Sequence, residues 1–242
     1  VSQYTVSMML KKGLVSYLQL LVRLKLRRTR PKIIGITGSF GKTSTKEAVY
    51  MVLSQKYRVC KSSKSLNTDI GLLLAVLEQP SGFSSPLAWM KICVCAFLNA
   101  FCSRKYDYLV LEYGADKPGD IAHLVKIVRP DIGIITHIAQ VHQAEGQFKN
   151  IEQVFEEKKK LVDALPKGGL AILNGDDKFL KKIEGLKGEI QKGKGVDIGT
   201  VFIKCAQKEA EEIAFRSQRN AFFEVEHTDF TKKILDNSKV KY

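Results

Sequence analysis

With 242 residues, 45% of them hydrophobic, the chain can bury one sizeable core and a small appendage, and it reads as a globular protein. Five cysteines, Cys60, Cys93, Cys95, Cys102 and Cys205, are odd in number and lack metal-ligand or redox spacing, which excludes an evident zinc site and suggests reduced thiols in a cytosolic compartment. The formal net charge of +14 invites a nucleic-acid function, but no recognised binding motif or aromatic interleaving accompanies it, and most of the excess lies at one end.

That end comes first. No acidic residue precedes Glu47, whereas Lys11, Lys12, Arg23, Lys25, Arg27, Arg28, Arg30, Lys32, Lys42 and Lys46 are all basic. Leu14, Tyr17, Leu18, Leu21 and Val22 follow helical spacing just ahead of the arginines, so residues 6–28 are predicted to form a basic amphipathic helix. Three placements stand open for it: on an anionic membrane face, as the cytoplasmic stub of an anchor lying upstream, or packed on the core with a solvated basic edge. The chain opens on Val1 with no cleavage site after an apolar run, and the expectation is a fragment of a longer protein.

Next, the apolar strand Ile33-Ile34-Gly35-Ile36-Thr37 runs into Gly38-Ser39-Phe40-Gly41-Lys42-Thr43-Ser44-Thr45 and then a helix. A strand, a glycine turn, a lysine with hydroxyls and a helix N-terminus form a phosphate cradle. Gly38 and Gly41 let backbone N–H groups approach phosphate oxygens, Lys42 can reach the β- and γ-phosphates, and Thr43 can offer its hydroxyl to Mg²⁺. The strict Walker pattern would place glycine at Ile36, so the loop is a shorter variant.

Downstream, short apolar runs alternate with helical patterns. Strands are predicted near 33–37, 57–60, 107–112, 131–136 and 169–173, and helices near 42–54, 69–78, 86–102, 118–128, 150–165 and 176–184. The order implies an α/β fold with a mostly parallel sheet flanked by helices on both faces. Residues 107–112 and 131–136 are nearly continuous apolar runs, as strands covered on both sides should be. The apolar segment from Pro86 to Cys102 is interrupted by Lys91 and Asn99, and is read as an amphipathic core or surface-docking helix instead of a membrane span. After Gly195, Thr200–Cys205, Glu212–Arg216 and Ala221–Glu226 suggest a small antiparallel sheet near the C-terminus, followed by a frayed end from Asp236 to Tyr242.

Ligands of open parallel sheets bind outside the carboxyl ends of the strands, and polar residues cluster there. The phosphate loop follows the first strand, Glu112 ends the third, His137 and His142 follow the fourth, and Asn174, Asp176 and Asp177 follow the fifth. A carboxylate closing an apolar strand either meets a cation, for which Mg²⁺ bridging phosphates would serve, or simply reaches solvent. His142 is either a metal ligand or hydrogen-bond donor near phosphates, or an inert loop histidine. Asn67-Thr68-Asp69-Ile70-Gly71 is either an N-cap or a substrate contact, and Asn174-Gly175-Asp176-Asp177 either a plain turn or part of the site.

In the helix at 150–165 the apolar stripe is Ile151, Val154, Phe155, Leu161, Val162 and Leu165, and Lys158 falls at its centre. An inward lysine must snorkel, find an anion or lose its proton through desolvation. A neutral amine in a polar cleft can capture carbon dioxide as a carbamate, which turns a cation into a metal-binding carboxylate.

Taken together, these segments resemble the Mur ligase family, and within it the branch that joins D-alanyl-D-alanine to a UDP-muramoyl tripeptide. The likeness runs in order over about residues 31–185: the loop from Gly38 to Thr45, Asn67 to Gly71, Glu112-Tyr-Gly-Ala-Asp-Lys-Pro-Gly-Asp120, Arg129 to Thr136, His142, Lys158, and Ile172 to Asp177. It implies a central ATP-binding domain of the phosphate-loop NTPase type. Gly38, Ser39, Gly41, Lys42, Thr43 and Ser44 would bind ATP, with Asn174 and Asp177 toward adenine and ribose. Thr43, Glu112, His142 and carbamylated Lys158 would serve Mg²⁺, while Lys42, Lys158 and His142 carry the chemistry and Asn67 and Thr68 meet substrate. The implied reaction forms an acyl phosphate from a UDP-muramoyl-peptide carboxylate, which the amine of D-alanyl-D-alanine attacks.

Departures from the family pattern matter as well. Gln143-Ala144-Glu145-Gly146-Gln147-Phe148 follows His142 where the family usually places Leu-Glu and a Phe-Gly pair, which weakens the second metal site. A basic helix at 1–30 stands where the uridine-nucleotide domain is expected, the ATP-binding domain spans 31–190, and 191–242 would carry the small sheet, ending before a C-terminal ligase domain. ATP binding without complete ligation is therefore expected of these residues. The setting expected is the cytoplasm, with peripheral contact of residues 6–30 at the inner membrane face and no nucleic acid. Two alternatives stand beside this: a folylpolyglutamate-type ligase of another acid, or a non-catalytic nucleotide-binding scaffold at the membrane.

Overall fold

The computed structural model describes residues 2–62, 69–80, 85–102, 105–140, 147–183 and 199–203. Within them lie strands β1 (Lys32–Thr37), β2 (Val59–Lys61), β3 (Tyr108–Glu112), β4 (Ile132–Ile135), β5 (Leu170–Asn174) and β6 (Gly199–Ile203). They form one sheet in the order β2-β3-β1-β4-β5-β6, with every pairing parallel. The helices are α1 (Ser2–Thr29), α2 (Lys42–Ser54), α3 (Asp69–Val76), α4 (Pro86–Cys102), α5 (Asp120–Ile127) and α6 (Ile151–Asp163), followed by a helical turn at 178–183. Each element agrees with the periodicity of the sequence to within a few residues.

Parallel strands need crossovers, and the alternation of apolar side chains shows where the helices lie. Ile34, Ile36, Val110, Ile132, Ile134 and Ile172 face α2 through Val49 and Leu53. Ile33, Leu109 and Leu111 point to the opposite face, where α3 and α5 contribute Leu72 to Val76, Ile121 and Leu124. On that same side Ala171 and Leu173 meet Val154, Phe155 and Val162 of α6. Both faces are thus covered, which explains why the central strands are apolar on consecutive positions.

The amino-terminal helix takes the third of its three open placements as far as its inner side is concerned. Leu18, Leu21 and Val22 are buried with Ile92, Ala96 and Ala100 of α4 and with α3, while Arg23 and Arg27 stay exposed. Lys25 is also buried and donates to Glu78 at 2.6 Å. Among the described residues no helix is long and apolar enough to cross a membrane.

One segment corrects the expectation. The stretch anticipated as part of an antiparallel sheet, Thr200–Cys205, is described through Ile203, and Gly199–Ile203 instead pairs in parallel with β5. The outer edge of β5 presents unpaired N–H and C=O groups, and a parallel sixth strand satisfies them. Glu212–Arg216, Ala221–Glu226 and the end from Asp236 to Tyr242 lie outside the described residues. Cys60, Cys93 and Cys95 are free thiols, and burial raises Cys60 to about 11, an inert core sulfur.

Candidate functional site

The chain leaves β1 toward β2 on one side and later returns to β4 on the other, so the carboxyl end of β1 is the topological switch point of the sheet. The loop Gly38–Gly41 sits there and leads into α2. Gly38 has φ 152° and Gly41 φ 77°, both in the region that favours glycine. A Cβ on Gly38 would come within 1.9 Å of Thr136 Oγ1, so the loop lies flush against the end of β4. Ser39 N donates to His137 O at 2.7 Å, and Ser39 Oγ both donates to Ala139 O and accepts from Ala139 N. The loop is therefore braced on residues 136–139, leaving the N-terminus of α2 open above it. Lys42 folds back over this turn, its ammonium donating to Gly38 O at 2.8 Å.

Glu112 is set opposite the loop by register: it pairs with Ile36, and Tyr113 N donates to Ile36 O. Its carboxylate accepts from Thr43 Oγ1 at 3.2 Å and from Lys46 Nζ at 3.3 Å. The cation that a buried carboxylate demands is thus supplied from within the chain, by a lysine that sequence reasoning counted only as part of the basic excess. Lys46 lies one turn after Thr43 on the inner face of α2, beside Val49, and that spacing was the signal available. Ser44 stands exposed at the helix start.

Gly35 brings α6 close. A Cβ there would lie 3.2 Å from Leu161 Cδ1 and 2.9 Å from Tyr113 Cε2, so only glycine lets α6 settle on β1 at this depth. Lys158, one turn before Leu161, is carried inward and is only 2% exposed. Burial, reinforced by the charge of nearby Lys42, pushes its ammonium down to about 8, against the weaker opposing pull of Glu157 and Asp116. Glu157, also buried, accepts from Gly119 N at 2.8 Å and Ile121 N at 2.7 Å and so fixes the start of α5. Nothing in the apolar stripe announced that cap.

At the end of β5 the turn is well ordered by its own side chains. Asn174 Oδ1 accepts from Asp176 N at 2.9 Å. Asp177 is buried; Oδ1 accepts from Phe179 N and Leu180 N, and Oδ2 accepts from Ile138 N at 2.7 Å and lies 2.8 Å from His137 Nδ1. Its carboxylate fastens the 178–183 turn to the segment that braces the phosphate loop. Lys42, Thr43 and Glu112 therefore gather at one end of β1 and β3, with Lys158 near enough to feel the charge of Lys42, while Asp177 connects to the loop through residues 136–139. Asn67, Thr68 and His142 lie outside the described residues. His123 sits elsewhere, 3.2 Å from Asp69.

Comparison with known proteins decides the family. The profile of the Mur ligase middle domain matches residues 36–235. The chain belongs to the Mur ligase middle-domain family. It is 35% identical over 145 residues to a UDP-N-acetylmuramoyl-tripeptide–D-alanyl-D-alanine ligase from Mycobacterium leprae, covering 60% of this chain and 23% of that protein. A ligase of the same name from Bacillus subtilis is 30% identical over 164 residues, covering 68% of this chain and 30% of the relative. The chain thus spans less than a third of the length of these relatives. Its fold is similar to the crystal structure of MurF ligase from Thermotoga maritima in complex with ADP, with a TM-score of 0.58 and 29% identity over 78% of this chain and 36% of that one. The family match begins inside β1, so α1 falls before it.

Proposed function

We propose that this chain supplies the ATP-binding part of a cytoplasmic peptidoglycan-precursor amide ligase. ATP would convert the terminal carboxylate of a UDP-muramoyl tripeptide to an acyl phosphate, which the amine of D-alanyl-D-alanine attacks to form the amide. The observation that carries this reading is the meeting of Lys42, Thr43 and Glu112 beside a glycine loop whose wall leaves no room for a Cβ.

The residues fit the groups that the family implies. Backbone N–H groups of Gly38 to Thr43 and the start of α2 suit phosphate oxygens, and Lys42 adds a mobile cation. The Thr43 hydroxyl and Glu112 carboxylate, 3.2 Å apart, are hard oxygen donors of the kind Mg²⁺ accepts. Bound magnesium would supply charge neutralisation on the transferring phosphoryl group. Lys46 meets Glu112 from the buried side at 3.3 Å and helps hold its carboxylate against Thr43.

Lys158 has the environment that carbamate formation requires. Its nitrogen lone pair would attack the carbon of carbon dioxide, forming one N–C bond and releasing one proton, and the product carboxylate would add a third oxygen donor. With a value of about 8, roughly one-tenth of the amine is neutral at pH 7. His142 belongs to the same proposal as a metal-supporting and catalytic group, Asn67 and Thr68 as substrate contacts, Ser39, Ser44 and Asn174 as nucleotide contacts, and Asp177 as the group that holds the nucleotide-side turn. Peripheral contact of residues 6–30 with the inner membrane face is proposed from the exposed Arg23, Arg27 and Arg30.

The test is phosphate release by the complete polypeptide encoded around these residues. Release from ATP that requires both the tripeptide nucleotide and D-alanyl-D-alanine, and that disappears in Lys42→Ala, is the expected result. Release independent of the amine would contradict the ligase reading.

A further inference from the structure

The helix α4 carries an apolar face that is exposed among the described residues. Its inner side is held by Ile92, Ala96 and Ala100 against α1, by Tyr17 Oη donating to Cys93 O at 3.1 Å, and by Asn99 Nδ2 donating to Leu77 O at 3.1 Å. The opposite side exposes Leu87 at 74%, Met90 at 64%, Val94 at 57% and Leu98 at 54%, with Phe97 and Phe101 close behind. These positions recur every three or four residues, so they form one continuous stripe. Lys91 is the one charged residue in α4, and neither α1 nor α4 contains an acidic residue.

Basic groups frame the stripe. Arg28 donates to Ala100 O at 3.0 Å and lies 5.9 Å from the Phe101 ring centre, which ties the arginine-rich end of α1 to the end of α4. A cleft of about 360 Å³ opens beside the end of α1, lined in part by Arg30, Lys32, Arg58 and Lys105, with Asp107 pairing Arg58 at 3.5 Å. A protein partner of ordinary composition would meet an apolar stripe with a rim of balanced charge; here, among the described residues, Arg30, Lys32, Arg58 and Lys105 stand against Asp107 alone in the cleft, which favours an anionic surface with an apolar interior.

We propose that α1 and α4 together form an interfacial docking face for an anionic lipid bilayer, with the outer stripe of α4 entering the headgroup–acyl boundary and the arginines of α1 meeting lipid phosphates. The proposal rests on the peripheral contact read for residues 6–30 and assigns the inserting element. The phosphate loop, at the carboxyl ends of the strands, stays clear of this face, so lipid and nucleotide can be held together.

Vesicle flotation of the full chain tests it, with phosphatidylcholine vesicles compared with vesicles containing phosphatidylglycerol. Binding to the anionic vesicles alone is expected. Phe97→Asp with Leu98→Asp should weaken binding by on the order of tenfold or more. Arg23→Gln with Arg27→Gln should weaken it by about fivefold per arginine. Calorimetric nucleotide binding serves as the fold control for both variants. Unchanged vesicle affinity in the Phe97/Leu98 variant overturns insertion of α4 while leaving the basic contact of α1 standing. Unchanged affinity in the arginine variant overturns the basic contact itself. A wild-type chain that ignores vesicles and forms a dimer abolished by Phe97→Asp and Leu98→Asp assigns the face to a second copy and overturns the proposal.

Discussion

The ammonium of Lys46, completely buried, lies 3.3 Å from the Glu112 carboxylate, which also accepts from the Thr43 hydroxyl one helical turn earlier. Two charges taken out of water in this way stabilise the fold little as a pair, but each depends on the other. Glu112→Gln leaves Lys46 uncompensated and is expected to cost on the order of 3–5 kcal/mol, whereas Lys46→Met combined with Glu112→Gln should recover most of that loss. Urea unfolding of the single and double variants measures the coupling, and additive losses would argue against the pair.

Gly38 offers a second test, because both its φ of 152° and the 1.9 Å approach of a Cβ to Thr136 Oγ1 forbid a side chain. Gly38→Ala must lift the loop off β4. Nucleotide affinity is expected to fall by about tenfold or more, since the backbone donors no longer converge. Isothermal calorimetry reads the change, and full-strength binding would show that the loop tolerates displacement.

Much of this arrangement was legible in the chain itself. The apolar runs ending in Thr37, Glu112 and Asn174 marked parallel strands, and the stripe around Lys158 placed that lysine inside, where it is found. What the chain did not disclose are contacts made across long separations. The ion pair of Lys46 with Glu112 joins residues 66 apart, and the cap of α5 by Glu157 joins residues 36 and 38 apart. Helical periodicity reports which face is buried, not which buried polar group lies opposite. The parallel pairing of β6 was missed for a related reason: a short alternating strand carries no mark of the direction of its partner.

Lys158 makes stability depend on pH in a defined direction. Its value falls from 10.5 in the open chain to about 8 in the fold, so between those limits the unfolded state binds more protons and stability must rise with pH. The full span corresponds to about 3 kcal/mol. Lys158→Met should be more stable than wild type near pH 7 and should lose this rise between about pH 8 and 10.5, as followed by urea denaturation at stepped pH. An identical pH profile in the variant would mean that Lys158 is solvated.

The same amine can be tested for the carbamate. Equilibration with ¹³C-labelled bicarbonate is expected to give a carbamate carbon signal in the wild-type chain that is absent in Lys158→Arg, whose guanidinium does not deprotonate. A signal surviving the substitution would assign it to another lysine.

The central claim is that Lys42, Thr43, Glu112 and Lys158 surround one magnesium-bound nucleotide, and calorimetric titration of ATP with and without Mg²⁺ into wild type and Lys42→Ala tests it most directly. Binding strengthened by Mg²⁺ and weakened about 10- to 100-fold by Lys42→Ala is expected, from the loss of a charge-assisted phosphate contact. No heat with the wild-type chain, or equal affinity in the two proteins, would contradict it.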